Sequence, residues 1–281
     1  MVKIMKLGIS SFGHLVDKAL RGKYKTTNEL LISSTEAALK FAEKNNVNYV
    51  EIMLEPPDVY TSENKKIFVD LCNSYSSITK QVHATLTDVS MCSYNINISR
   101  ASVKSFIEAA EICEEIGAKI LTVHPGNGHY LISSIREYNR KQLIKAVNEL
   151  LDATANFDVT ICIENMTKET YMLGDENEIE EFLTNLNRDD IFLTFDTAHA
   201  SECNVNFESY WEKFHMYVRN IHLADIGGEE KDLHHPLGTG KVDFQKFLNL
   251  VKKYKYNGLM IIEIVTGRAL RQSIEFINKL L

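Results

Sequence analysis

The sequence predicts a single (β/α)8 barrel, or TIM barrel, that takes up residues 1–281 as one domain. Three observations predict this α/β fold. Eight short apolar runs of strand length recur along the chain, a longer amphipathic stretch follows each run, and no Pro/Gly-rich linker divides the 281 residues. An open, doubly wound sheet is the alternative. No GxGxxG follows the first run and no GKxT/S occurs, so a nucleotide-binding sheet loses support.

The eight apolar runs are rich in Val and Ile, which indicates buried strands. In order they are MKLGIS (5–10), VNYVEIML (47–54), QVHATL (81–86), KILTVHP (119–125), VTICIEN (159–165), IFLTFDT (191–197), RNIHLAD (219–225) and LMIIEIV (259–265). The intervals carry helical patterns with capping residues or apolar positions at helical spacing. These are 26–46, 62–79, 99–118 (which stops at Gly117), 136–157, 175–186, 208–217, 243–254 and 268–281.

Composition argues against several classes of protein. The net charge of −7 does not suggest a protein held on nucleic acid by bulk charge. No apolar run is long enough to span a membrane, and the N-terminal MVKIMKLGIS has no signal-peptide cleavage site. The five cysteines are dispersed and include no CxxC, which indicates reduced thiols and a cytoplasmic location.

Nine His, Asp and Glu residues fall at or just after the ends of six consecutive predicted strands. In a TIM barrel these ends form one rim, where the chemistry takes place. The nine are His83, His124, Glu164, Asp196, His199, His222, Asp232, His234 and Glu263. One such residue alone is more often a satisfied polar side chain, but nine together need cations to balance them. Imidazole and carboxylate ligands predict a divalent metal, Zn or Mn.

The other histidines have no such placement. His14, His129 and His215 are expected to be structural, and His215 falls within a predicted helix. His235 is either a donor behind the ligands or a rim residue. Glu51, in the second strand, is a further candidate for the barrel interior.

The segments LTVHPG, CIEN, FDTAH, HLAD and DLHHPLGTG stand in an order that resembles the xylose isomerase-like barrel superfamily. That superfamily includes endonuclease IV and the sugar-phosphate isomerases and epimerases. All nine residues match in type the ligands of the three-metal cluster of endonuclease IV. The isomerase and epimerase branch uses four ligands for one ion, and the matching residues are Glu164, Asp196, His222 and Glu263. The resemblance therefore implies one to three ions.

Three features favour the sugar branch. Leu86 stands where endonuclease IV has a Tyr in a loop that enters DNA. Ala224 and Gly227 replace the Asn and Lys of its HxNDSK motif. No strip of basic and aromatic residues offers phosphate contacts and base wedges.

These features predict a metal-dependent isomerase or epimerase with a small sugar or sugar phosphate as its substrate. Glu164 and Glu263 would pass a carbon-bound proton as base and acid, the metal would stabilise an enediolate, and His199 would orient a substrate oxygen. Lys168, Arg268 and the turn 238–240 are candidate phosphate anchors. A surface role is an equal alternative for the two side chains, and a Gly-rich turn is more often a plain turn than an anion site.

Two other functions stay open. An endonuclease IV-like hydrolase would cleave phosphodiesters at abasic DNA with a three-zinc cluster, and the complete nine-residue set favours it. A non-catalytic barrel that binds a metal and a sugar-like ligand is the third. Nothing in the composition indicates an oligomeric state.

Overall fold

A computed structural model describes residues 6–22, 24–55, 62–129, 131–168, 170–227 and 233–281. Its barrel strands are β1 (Lys6–Ser10), β2 (Tyr49–Met53), β3 (Thr79–His83), β4 (Ile120–Val123), β5 (Thr160–Glu164), β6 (Phe192–Asp196), β7 (Val218–Leu223) and β10 (Leu259–Ile262). They pair in parallel and close in the order β1-β10-β7-β6-β5-β4-β3-β2. The predicted (β/α)8 barrel is confirmed.

The described residues contain ten α-helices, two more than the sequence predicts. They are α1 (Phe12–Ala19), α2 (Thr27–Lys44), α3 (Ser62–Ser74), α4 (Ile96–Ile116), α5 (Ser133–Thr154), α6 (Glu176–Leu186), α7 (Thr197–Glu202), α8 (Phe207–Phe214), α9 (Phe244–Lys253) and α10 (Leu270–Leu280). The additional helices, α1 and α7, directly follow β1 and β6. Gly117 ends α4 in the left-handed conformation, with φ of 70°, as its place in the pattern predicts. None of these helices has the length and hydropathy that a membrane crossing requires.

The third strand ends earlier than predicted. The apolar run extends to Leu86, but β3 stops at His83. The carboxylate of Glu55 explains this end, because its Oε2 accepts hydrogen bonds from Thr85 Oγ1 (2.5 Å), Leu86 N (2.8 Å) and Thr87 N (3.1 Å). These groups are therefore drawn to the end of β2 and leave the ladder.

A two-stranded antiparallel hairpin, β8 (Asp225–Ile226) and β9 (Leu233–His235), follows β7. The buried carboxylate of Asp225 organises the turn after it. Asp225 Oδ2 accepts from Gly238 N (3.0 Å) and Gly240 N (2.8 Å). A Cβ at Gly240 would lie 2.1 Å from Ile226 O, so this close approach requires glycine.

Alternation along the strands separates an apolar layer from a polar one. Val50 and Ile52 of β2 belong to the apolar core, whereas Glu51 between them hydrogen-bonds across the barrel interior to Gln81 and Asn220. This period of two follows from strand geometry. It gives the barrel a polar interior directly beneath the carboxyl ends of its strands.

Candidate metal centre

The structure brings eight of the nine predicted ligands together at the carboxyl ends of the barrel strands. Asp232 lies outside the described residues. Glu164 occupies the middle of the group. Its Oε2 lies 3.3 Å from His83 Nε2 and 3.2 Å from His124 Nε2, and its Oε1 lies 3.3 Å from both His199 Nδ1 and His222 Nδ1.

Ligand atoms in three sets lie within 4.8 Å of one another and could each hold an ion. The tetrad is Glu164, Asp196, His222 and Glu263. The β3–β5 triad is His83, His124 and Glu164. The β6–β9 triad is Asp196, His199 and His234. A fourth combination, His83, His222 and Glu263, overlaps the first two sets. The tetrad is the set that the sequence predicts for a single ion.

Backbone carbonyls fix the ring nitrogens of two histidines. His83 Nδ1 lies 2.7 Å from Ala84 O, and His199 Nδ1 lies 3.0 Å from Asn165 O. A carbonyl oxygen only accepts, so Nδ1 donates in both cases. Nε2 of each ring then carries the lone pair when the imidazole is neutral, as a metal ligand requires.

Asp196 provides a direct test of whether a cation fits. Its Oδ1 accepts from His199 N at 2.6 Å and caps α7. Its Oδ2 is buried and has no hydrogen-bond partner within the described residues; His234 Nε2 lies 3.6 Å away. A buried carboxylate oxygen without a hydrogen bond is costly. A divalent ion would satisfy it, so the residues present fit a metal.

The backbone of His234 is in a conformation that side chains rarely adopt. Its φ is 65°, in the left-handed region. Its ring packs edge-on against His199, with centroids 5.1 Å apart, and against Phe12, at 6.0 Å. Such backbone strain costs of order 1–3 kcal/mol and is concentrated at functional sites.

Burial and charge act in opposite directions on the titration of these groups. Burial disfavours protonation of His222, but the carboxylates of Glu263, Glu51 and Glu164 raise its pKa well above the ordinary value. Burial likewise opposes ionisation of Glu164 and Glu263, yet His222 and its neighbours hold the pKa of both carboxyls well below the usual range.

In three further histidines, His83, His199 and His234, nearby carboxylates likewise raise the pKa above its ordinary value, and in His124 they do not. Against the effect of burial, the hydrogen bond to Glu164 raises the pKa of His83 to about 9, and the contacts with Asp196 and Glu263 raise that of His234 to about 10. Burial lowers the pKa of His124. A metal must therefore displace protons from several of these rings when it binds.

None of the predicted phosphate anchors is among the described groups that could hold an ion. The amides of Gly238 and Gly240 already donate to Asp225, so they are not available to a phosphate. Lys168 Nζ lies 2.5 Å from Asp175 Oδ2, and its side chain is 59% exposed. Arg268 is exposed at the surface.

Some residues outside the predicted ligand set have structural contacts elsewhere, and others approach the centre. His14 packs against Phe41, and His215 Nδ1 lies 2.8 Å from Trp211 O, as expected for structural histidines. Tyr171, which the sequence does not single out, lies edge-on to His124 at 6.2 Å. Glu51 contacts His222 Nε2 at 2.9 Å. In the sequence, the place of Glu51 in the second predicted strand is the one indication that it faces the barrel interior.

The closed parallel barrel and the imidazole and carboxylate groups at its rim define a (β/α)8 barrel with a candidate metal centre. Residues 18–280 match the family model described as a xylose isomerase-like TIM barrel. The chain therefore belongs to this family, and the resemblance predicted from its motifs is confirmed.

The sequence relatives include an uncharacterized protein and a probable endonuclease. Uncharacterized protein MJ1614 of Methanocaldococcus jannaschii is 30% identical over 196 residues, 70% of this chain and 74% of that protein. A probable endonuclease 4 of Mycoplasmopsis agalactiae is 25% identical over 262 residues, 85% of this chain and 88% of the relative.

Solved structures resemble the whole chain. A D-tagatose 3-epimerase-like protein matches with a TM-score of 0.81 and 22% identity, covering 98% of this chain and 97% of that one. The IOLI protein with a binding zinc atom matches with a TM-score of 0.75 and 19% identity, covering 98% and 96%. At these identities the likeness shows the fold alone.

Proposed function

We propose that this protein is a divalent-metal-dependent isomerase or epimerase of a sugar or sugar phosphate. One observation carries the proposal. His222 Nδ1 lies 2.8 Å from Glu263 Oε2 and 3.3 Å from Glu164 Oε1, so carboxylates from β10 and β5 approach the same ring nitrogen. Together with Asp196, these residues offer a single ion a set of oxygen and nitrogen ligands that suits Mn or Zn.

The chemistry needs a base and an acid near one carbon atom. A bound divalent ion would supply Lewis-acid stabilisation of negative charge on neighbouring substrate oxygens, as in an enediolate. Glu164 and Glu263 are held ionised, so one of them can accept the carbon-bound proton. The other would take up a proton from solvent and deliver it to the same carbon, and the first would later release its proton to solvent. His199, fixed by Asn165 O, orients a substrate oxygen.

The charge of four segments at the rim, those after β3, β4, β5 and β6, favours a small substrate. The segments after β3 (84–95), β4 (124–132) and β6 (197–206) contain no Lys or Arg. Lys168, after β5, is paired with Asp175. Binding along a nucleic acid backbone depends on several Lys or Arg contacts with phosphates. These four segments therefore favour a small sugar or sugar phosphate over DNA.

A second candidate function is phosphodiester hydrolysis at abasic DNA with three zinc ions. The observation that favours it is the presence of the β3–β5 and β6–β9 triads beside the tetrad. A one-ion epimerase has no evident need for His83, His124 or His234. Metal clusters stabilise both the attacking and the leaving oxygen in such displacements, and several sequence relatives are named probable endonuclease 4.

Two assays on one preparation separate these functions. The protein, supplied with Mn²⁺ or Zn²⁺, is incubated in D2O with ketoses, aldoses and their phosphates. Deuterium that appears on the carbon next to the carbonyl, and is absent with Glu164→Gln, is the expected result. The same preparation is given a duplex oligonucleotide with one abasic site. Nicking that Glu164→Gln lacks, without deuterium exchange in any sugar, would replace the first function by the second.

A further inference from the structure

Buried polar side chains lie inside the barrel next to His222. Glu51 of β2, Gln81 of β3, Thr122 of β4 and Asn220 of β7 are all 2% exposed or less. None of them belongs to the tetrad or the two triads. Burying a carboxylate such as Glu51 at this depth is costly unless specific donors satisfy it.

The donors of this network can be assigned one by one. Glu51 Oε2 accepts from Gln81 Nε2 at 2.8 Å and from Asn220 Nδ2 at 3.0 Å. Asn220 Nδ2 also donates to Thr122 Oγ1 at 3.2 Å. An amide nitrogen carries two protons. Asn220 Nδ2 also lies 3.1 Å from His222 Nε2, so its two protons cannot serve all three contacts, and a proton on Nε2 would leave them for Glu51 and Thr122.

The other carboxylate oxygen of Glu51, Oε1, lies next to the ring of His222. Glu51 Oε1 lies 2.9 Å from His222 Nε2, outside hydrogen-bond geometry, and has no hydrogen-bond partner within the described residues. A carboxylate can only accept, so a proton on Nε2, brought into line by a small rotation of the ring, would satisfy this oxygen. The opposite nitrogen, Nδ1, faces Glu263 and Glu164. A neutral ring with its proton on Nε2 presents a lone pair at Nδ1, among the other tetrad ligands. The second nitrogen of a metal-bound histidine commonly donates to a carboxylate in this way.

We propose that Glu51 is a positioning residue, which fixes the ring orientation and the tautomer of His222 so that Nδ1 binds the metal. This inference rests on the metal site of the proposed function, but not on the identity of the substrate. A purely structural Glu51, satisfied by Gln81 and Asn220 alone, is the competing explanation. The two explanations differ in what happens to His222 when the acceptor is replaced by a donor.

Glu51→Gln makes that replacement with almost no change in shape. The amide oxygen is needed by Gln81 and Asn220, so the amide NH2 turns toward His222 Nε2. A neutral ring must then carry its proton on Nδ1, where it opposes metal binding. We expect the Zn²⁺ dissociation constant of the tetrad to rise about 10- to 100-fold, the usual effect of losing such a partner.

The experiment is a Zn²⁺ titration against a competing chelator, with the tetrad step identified as the one that His222→Ala lacks. Glu55→Gln is the matched control. It makes the same change just beyond the end of β2, where the carboxylate binds Thr85, Leu86 and Thr87 and none of the candidate ligands. Its Zn²⁺ affinity is expected to equal that of the wild type.

Spectroscopy separates positioning from a general loss of structure. In zinc-loaded, 15N-histidine-labelled protein, the proton on His222 Nε2 is expected at low field, because it is donated to a carboxylate. It moves upfield in Glu51→Gln and stays in place in Glu55→Gln. A folded Glu51→Gln protein with wild-type affinity and an unchanged His222 resonance would overturn the inference.

Two further outcomes have a definite meaning. If Glu51→Gln does not fold, Glu51→Asp withdraws the carboxylate by one methylene, and wild-type affinity and spectrum in that variant would equally overturn the inference. Tight metal binding that depends on Glu51, without turnover of any sugar, would contradict the proposed function and uphold the role of Glu51. A wild-type protein that binds no Zn²⁺ would overturn both.

Discussion

Asn165 holds the backbone of Asp196 on both sides. Its Oδ1 accepts from Asp196 N at 2.8 Å, and its Nδ2 donates to Asp196 O at 3.2 Å. All of these groups are buried, and the pair ties the end of β5 to the end of β6. The position of one candidate ligand therefore depends on an amide side chain beside another, Glu164.

Asn165→Ala should destabilise the protein and weaken the centre together. The change leaves Asp196 N and O without their partners, which costs about 1–3 kcal/mol for a buried group. Urea unfolding of the metal-free protein measures the loss, and Zn²⁺ titration measures the affinity. Asn73→Ala, which removes an exposed hydrogen bond to Glu115 O, is the control and should change neither. Equal behaviour of the two variants would contradict the prediction.

The metal-free protein should lose stability as the pH rises above neutrality. The folded pKa values of His83 and His234 are raised to about 9 and 10, above the unfolded value near 6.5. A group whose folded pKa is raised stabilises the fold fully below its unfolded pKa. That contribution is lost as the pH passes through the folded pKa.

The measurement is the free energy of unfolding by urea, in the presence of a chelator, from pH 6 to pH 10. We expect a decline that begins above about pH 6.5 and continues to about pH 10. Zinc-saturated protein is the comparison, because the ion replaces the protons and the decline should shrink. A flat or rising profile in the chelated protein would contradict the assignment of the charged histidines.

Substitution of the triad histidines distinguishes one ion from three. His83 and His234 lie outside the tetrad, so in the proposed epimerase His83→Ala and His234→Ala should each retain one tightly bound ion. Turnover should fall by less than about tenfold, since the base and acid remain. Metal content after dialysis and deuterium exchange measure the two effects. Glu263→Gln is the positive control for loss. Complete inactivation by either histidine change would favour the three-ion hydrolase.

A buried ion pair outside the centre should control stability. Arg136 Nε donates to Glu178 Oε1 at 2.7 Å and Nη2 donates to Glu178 Oε2 at 2.9 Å, which joins α5 to α6. Arg136→Met should destabilise the protein by about 1–3 kcal/mol, because Glu178 loses its two shortest donors and keeps only Arg140 Nη2 at 3.4 Å and two backbone amides. The double change Arg136→Met with Glu178→Leu should cost less than the sum of the single changes. Additive losses in chemical unfolding would refute this coupling.

The sequence predicted most of the centre because its chemistry follows strand ends. His124, Glu164, Asp196 and Glu263 lie at or just after the ends of apolar runs, and parallel strands bring those ends together. The network around Glu51 could not be predicted in this way. Its partners come from β3, β4 and β7, and hydrogen bonds across a barrel leave no local pattern.

The missed helices have a related cause. Helix α7 contains 6 residues, too few to show a helical period clearly. Helix α1 has no side-chain cap hydrogen bond and no acidic residue in its first turn, so it lacks two of the usual start signals. Helix α7 also starts within an apolar run read as strand to residue 197. Its cap is the carboxylate of Asp196, a residue that the sequence assigns to metal binding. The side chain of Asp196 therefore caps a helix and is also a candidate ligand, but the sequence pattern indicated only the second role.

Glu164 belongs to both the tetrad and the β3–β5 triad, with one oxygen facing each side. Two ions in these sets would share its negative charge, so their binding equilibria are linked. The first ion to bind neutralises part of the charge of this carboxylate, so the carboxylate attracts the second ion less strongly. Affinities measured at the two positions should therefore be unequal and dependent on each other, and by reciprocity each ion changes the affinity for the other by the same factor.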